Sequence, residues 1–379
     1  MTEIILLFVT GIIVRTLFIF LLPGFAFQGV IVAGGYATGQ EVIQFFLKNG
    51  TYSAVCGLVL VALIWGVGLS VLFEISRVSK SYDYKSLLQE LTGPFWRVNE
   101  VLLAGLSLLV SAVILSTAGE LAVQFLALSS SEGMILLSIA ITLLAWSGSK
   151  WLEIFMIIWS ALIYLVFAFM ALTVINGSAD LIVDQLDQST LKSAAWIPDG
   201  IAYAAYNISS CIAILYCLKH ITTRKQAITS GFIAGLMGAI PAFLLLLAMI
   251  AFQPEILTAT IPSLYVLEHL NMPVFTIIFQ IVFMGTLVQT GVSIIHSINQ
   301  RIEVTYTKDQ KPFPKVMRVG TSFGILFIGA IVANHFSLAE IIRIGYTVIG
   351  AGFLVFFVVP LFTVGIYKVV KRETVKGNY

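Results

Sequence analysis

Charge is scarce in this sequence: Asp, Glu, Lys and Arg make up 11% of 379 residues, less than half their share in an ordinary soluble domain. Too few polar side chains remain to cover a water-facing surface, and a soluble globular protein is excluded. Cysteine is rarer still. Cys56, Cys211 and Cys217 all fall in apolar stretches without metal-ligand spacing, so they read as packing residues and neither a disulfide framework nor a zinc site is expected. No HExxH or GxGD occurs, and the chain is not expected to be an enzyme. A net charge of +2 gives no footprint for a nucleic-acid partner.

Apolar residues fill the space that charge leaves, at 59% of the chain and a mean hydropathy of +1.00. A lipid bilayer is therefore an expected partner. A helix crossing the hydrocarbon needs about 20 mostly apolar residues, because its backbone polar groups must be satisfied internally. The sequence divides into ten such spans, at about 23–47, 52–76, 98–127, 133–148, 151–176, 195–218, 228–253, 272–300, 315–334 and 338–367. Loops are short, which predicts one membrane domain over 23–379. Its halves are 23–176 and 195–367, with a tail at 368–379.

Basic residues are distributed unevenly over this map. Seventeen of the 21 lie in or at the edge of the loops after spans 2, 4, 6 and 8 or in the tail, and Lys48, Lys192 and Arg343 lie on the opposite side. The positive-inside rule then places both termini in the cytoplasm of a cell (inner) membrane protein.

Residues 1–22 are apolar enough to span, but lack the basic leader and small-residue cleavage site of a signal peptide. A continuous helix over 4–47 would be about 66 Å long, twice the hydrocarbon thickness, so it must break. Pro23 is the first expected break, at the start of a new helix. Residues 1–22 are expected as a separate N-terminal helix, at the interface or against the bundle.

A second break is expected within "GVIVAGGYATGQE", residues 29–41. Gly34 and Gly35 leave the backbone free to turn, and Thr38 with Glu41 has the S/T-x-x-E spacing that starts a helix. The reading is two half-helices, 23–33 and 38–47, joined by an unwound link at 34–37. The alternative is a continuous helix whose glycines permit close packing. Half a chain away, span 6 carries Tyr206, Asn207, Ser209 and Ser210 at its middle. Asn and Ser compete for backbone hydrogen bonds, which predicts an interruption near 206–210. Paired interruptions in spans 1 and 6 of a 5+5 inverted repeat point to the binding site of a secondary transporter. Gly34, Gly35, Tyr36, Thr38, Tyr206, Asn207, Ser209 and Ser210 are the residues expected to bind its solute.

The stretch "VIVAGGYATGQEVIQFF" is similar to the first span of the YkvI-like membrane proteins, a group of the amino acid-polyamine-organocation superfamily that shares the LeuT fold. The likeness continues through "YAAYNISS" and "GTLVQTGVSIIHSINQRIE". The resemblance implies amino-acid permeation. It also implies a sodium site joining the carbonyls of Gly29 and Val32 to Thr286, Thr290 and Ser293 on span 8, where hard cations find oxygen ligands. Against this stands the common habit of Thr and Ser in membrane helices of bonding back to their own backbone.

Ionisable groups within spans are costly and frequently functional. Glu120 is expected to be a solute counter-charge or proton carrier, and Glu41 and His296 are further proton-coupling candidates. Glu74, Glu153 and Arg343 lie near span ends and read as interfacial. The expected function is ion-coupled symport, by sodium or protons, of a small amino-acid-like or amine solute, with no other cofactor. A membrane sensor on a transporter fold is the alternative.

Overall fold

The computed structural model describes residues 19–32, 34–146, 149–189, 194–306 and 314–376. The expected N-terminal helix lies almost wholly outside them. The chain is an all-α polytopic membrane protein, without strands among the described residues. Its helices are α1 (Ile19–Ile31), α2 (Gly34–Thr38), α3 (Gln40–Phe45), α4 (Thr51–Ser79), α5 (Tyr84–Thr92), α6 (Trp96–Phe125) and α7 (Ser130–Trp146). The second half comprises α8 (Ser149–Asp187), α9 (Trp196–Ser209) with a 3-10 helix over Ser210–His220, α10 (Arg224–Ile250), α11 (Pro262–Leu270), α12 (Pro273–Tyr306) and α13 (Lys315–His335). The last is α14 (Leu338–Lys371).

Seven helices are long and apolar enough to cross a membrane. The interrupted first segment, α7 and the α9–3-10 pair complete the ten expected spans, with ends close to those read from hydropathy. Span 5 is the exception. Its helix continues past the expected end at 176, but Ser178 there has non-helical angles (φ −144°, ψ 30°) that kink it.

Pro23 does not break the first span. Helix continues through it from Ile19 to Ile31, and the reason lies across the bundle. Proline has no N–H to offer the carbonyl four residues back, here that of Ile19, and Ser230 on α10 donates its hydroxyl to that carbonyl at 2.9 Å. A neighbouring helix thus satisfies the group that proline orphans.

Close packing holds this region together. A Cβ on Gly231 would come within 2.5 Å of the Ser70 backbone nitrogen, so α10 approaches α4 at a distance only glycine allows. Phe27 packs edge-on against Trp65 at 5.4 Å, and the Trp65 indole donates to the Ala204 carbonyl at 3.1 Å. These contacts tie α1, α4 and α9 into one layer behind the interruptions. Arg343 is exposed, as an interfacial residue should be. Glu74, by contrast, does not snorkel to the surface. It is 1% exposed and paired with Arg77 at 2.5 Å, because an acid buried at that depth requires a cation beside it.

Candidate solute and ion site

The first interruption is displaced from its expected position. Residues 34–37 are helical, within α2, and the chain instead leaves helix at Val32 and again at Gly39. Gly39 has φ +85°, a left-handed conformation that favours glycine. The expected capping box is absent as well. The Thr38 hydroxyl donates to the Gly35 carbonyl at 2.7 Å and accepts from the Gln40 N–H at 3.2 Å, while Glu41 turns away to accept from the Tyr206 hydroxyl at 2.9 Å. That interhelical bond takes the carboxylate that a cap would have used.

Gly35 is required for this arrangement. A Cβ there would stand 2.6 Å from Oε1 of Glu41 and 3.2 Å from Ile342, so the carboxylate is folded directly against the glycine. The second interruption lies where it was expected. At Ser209–Ser210 the α-helix tightens into a 3-10 helix, which changes the hydrogen-bond ladder without unwinding the chain. Ser209 donates to the Tyr206 carbonyl at 2.6 Å and Asn207 to the Tyr203 carbonyl at 3.1 Å. Both side chains bond back to backbone around the transition.

A cavity lies between the two interruptions. It holds about 780 Å³ of non-atom space, a figure that takes in the open solvent at its mouth. Glu41, Tyr206, Asn207, Ser209, Ser210 and Tyr346 line one region, and the lining continues along α12 through Thr290, Ser293 and Ser297 to Arg301. Eleven residues of helix separate Thr290 from Arg301, about 16 Å. On the other side of Glu41, Gln40 donates its amide to the carbonyls of Ala259 and Thr260 at 2.6 and 3.0 Å, so the segment before α11 lies over α3. The cavity therefore extends toward the C-terminal end of α12.

The expected solute residues separate into two groups. Tyr206, Asn207, Ser209 and Ser210 line the cavity. Tyr36 does not, because its hydroxyl reaches the Gly238 carbonyl on α10 at 3.2 Å and the residue is wholly buried. Gly35 shapes the site through Glu41 and Thr38 through the local turn, while Gly34 contributes backbone to α2. Glu120 is exposed near the end of α6 and is outside the lining. The hydropathy pattern fixed its depth along the span but not the side of the helix it occupies. His296, half-buried on α12, is also outside the lining.

Around the expected ion site, Thr290 donates to the Val32 carbonyl at 3.4 Å, which brings α12 to the first interruption. Thr286 and Ser293 instead bond back to Val282 and Gln289 at 2.8 and 2.7 Å. Gly29 faces Ser160 and Gln289: a Cβ on it would lie 3.0 and 3.5 Å from their polar atoms, which are 3.2 Å apart. The adjacent Gln28 side chain is completely buried, with both amide atoms unpaired. Sequence reasoning missed Gln28, Gln289, Ser160, Tyr346 and Arg301. For Tyr346, the available signal was a tyrosine well inside an apolar span. It ends a π-helical turn, Ile341–Tyr346, of a kind often found at functional positions.

No family model matches the chain. It is 27% identical over 222 residues to the uncharacterized membrane protein YkvI of Bacillus subtilis (strain 168), a match taking in 56% of this chain and 60% of that protein's length. Among solved structures it resembles the manganese transporter of Eremococcus coleocola, with a TM-score of 0.62 at 14% identity, covering 92% of this chain and 78% of that one. It also resembles the inward-facing conformation of Mhp1, with a TM-score of 0.53 at 12% identity over 85% and 75% of the two chains. A sodium-coupled sialic acid symporter gives a TM-score of 0.50 at 13% identity over 93% and 86%. At these identities the likeness concerns the fold: a LeuT-like arrangement of ten spans with the first and sixth interrupted.

Proposed function

We propose that this protein is an ion-coupled secondary transporter of a small amino-acid-like or amine solute, working by alternating access. One observation carries the reading: the cavity is bounded by both helix interruptions at once, with Glu41 and Tyr206 bonded across them. Interrupted helices expose polar groups at mid-membrane only where they line a cavity or protein interior. The likeness to three membrane transporters supports the same reading.

Sodium is the favoured coupling ion, held by the carbonyls of Gly29 and Val32 with Thr290, and with Thr286 and Ser293 after their hydroxyls rotate. The Thr290–Val32 contact supports this assignment. Proton coupling through Glu41 is the alternative. Both termini are cytoplasmic in this reading, in a cell (inner) membrane. Solute counterflow in proteoliposomes tests the proposal. Exchange of labelled for unlabelled solute is expected, and binding without exchange would make the protein a sensor.

A further inference from the structure

The cavity has an acid at one end and a base at the other, and their surroundings differ. Arg301 is engaged, with its guanidinium 5.4 Å over the Tyr84 ring and 3.4 Å from the Ser297 hydroxyl. Glu41 is 1% exposed, and no ion pair among the described residues includes it. Its Oε2 accepts from the Tyr206 hydroxyl, its Oε1 lies against Gly35, and the Tyr203 hydroxyl faces the same carboxylate. The Tyr206 and Tyr346 rings stand 4.8 Å apart beside it and line the same cavity. The Tyr346 hydroxyl is buried without a hydrogen-bond partner.

A buried carboxylate with no protein cation is costly in a membrane interior, and a buried hydroxyl with no partner adds to that cost. A ligand that supplies a positive charge and N–H donors offsets both. A hard divalent cation requires six or more oxygen ligands, whereas this end of the cavity offers one carboxylate, with the side chains of Asn207, Ser209 and Ser210 bonded to backbone carbonyls. Aromatic faces attract a diffuse organic cation. Building on the transport reading, we propose that this end of the cavity recognises an ammonium group. Glu41 is its counter-ion, the Tyr206 and Tyr346 rings are its walls, and the Tyr346 hydroxyl is an acceptor for one of its N–H groups.

The test is thermal melting of the purified full chain with ethanolamine, choline and glycine, each against its neutral or amine-free isostere: ethylene glycol, 3,3-dimethyl-1-butanol and glycolate. At least one ammonium compound is expected to raise the melting temperature while its isostere does not. Whether ethanolamine and choline or glycine gives the larger shift separates a simple amine from a zwitterion. Glu41→Gln is expected to weaken the effective compound about tenfold or more, as removal of one partner from a buried charge pair does. Tyr346→Phe should weaken an N–H-bearing compound by less. Equal stabilisation by compound and isostere, undiminished affinity in Glu41→Gln, or no shift with any ammonium compound would overturn the proposal. The isostere comparison uses the unmodified protein, so a misfolded variant does not obscure it. Ammonium recognition without counterflow would defeat transport and leave this proposal standing, and counterflow restricted to solutes lacking an amine would overturn this proposal and the amine solute class while leaving transport itself standing.

Discussion

Replacing Gly35 by alanine tests whether the glycine exists to seat Glu41. The added Cβ would lie 2.6 Å from Oε1, and ordinary contact begins at 3.4 Å, so the carboxylate must retreat by about 0.8 Å unless the backbone yields. Its bond from Tyr206 starts at 2.9 Å, and a displacement of that size takes it beyond a useful hydrogen-bond length. A hydrogen bond to an ionised group contributes about 1.5–3 kcal/mol net, and a neutral one about 1 kcal/mol. Gly35→Ala should therefore lower stability by about 1–3 kcal/mol. In a Tyr206→Phe background, where the bond is already gone, the same substitution should cost at least about 1 kcal/mol less. Denaturation of the four proteins in one detergent closes the cycle. Additivity within about 0.4 kcal/mol would refute the reasoning, because the strain would then be relieved at Ile342 or in the backbone. Gly35→Leu should abolish solute binding outright while the protein remains folded, and normal binding by that variant would count against the site.

Three further outcomes are expected. Ser230→Ala should cost about 1–2 kcal/mol by leaving the Ile19 carbonyl unpaired, and less in a Pro23→Ala background, where residue 23 regains its N–H; equal costs in detergent denaturation would show that the hydroxyl does not compensate for proline. Thr290→Val should weaken the sodium dependence of binding or uptake more than it lowers stability, and sodium-independent uptake by the unmodified protein would shift coupling to protons. Glu120→Gln should leave the pH profile of transport between pH 5 and 8 unchanged, since the residue is exposed and outside the cavity; a changed profile would restore it to the mechanism.

The ten spans were legible because the bilayer imposes one simple rule on length and hydropathy, and α4 at Thr51–Ser79 or α13 at Lys315–His335 follow it nearly to the residue. The two interruptions were legible in kind. Ser209 and Ser210 mark theirs directly, since hydroxyls that bond back to backbone gather where the ladder changes. The first was misplaced because Thr38 and Glu41 have the spacing of a capping box but not its bonds. Genuine boxes do form at Thr223–Gln226 and Ser337–Glu340, in connections where the donors to the acidic or amide side chain are all its near neighbours in sequence. At Glu41 a tyrosine 165 residues away competes and wins. Long-range partners of this kind are invisible to local spacing, and the same blindness hid the Ser230 hydroxyl that makes Pro23 tolerable. It also explains Glu120, whose depth was readable and whose direction was not. Tyr346 and Gln28 required the fold, because each acquires meaning only from the helices that surround it.

Alternating access at the cavity is the central claim, and accessibility of a single cysteine there tests it most directly. Ala213→Cys, at an exposed position in the cavity lining, would be placed in a background with Cys56, Cys211 and Cys217 replaced, and treated with an impermeant thiol reagent from either side of oriented vesicles. The account predicts rapid labelling from the side of the α12 C-terminus and slower labelling from the opposite side, with solute and sodium changing the ratio of the two rates. Labelling from one side only, unaffected by solute or sodium, would contradict it.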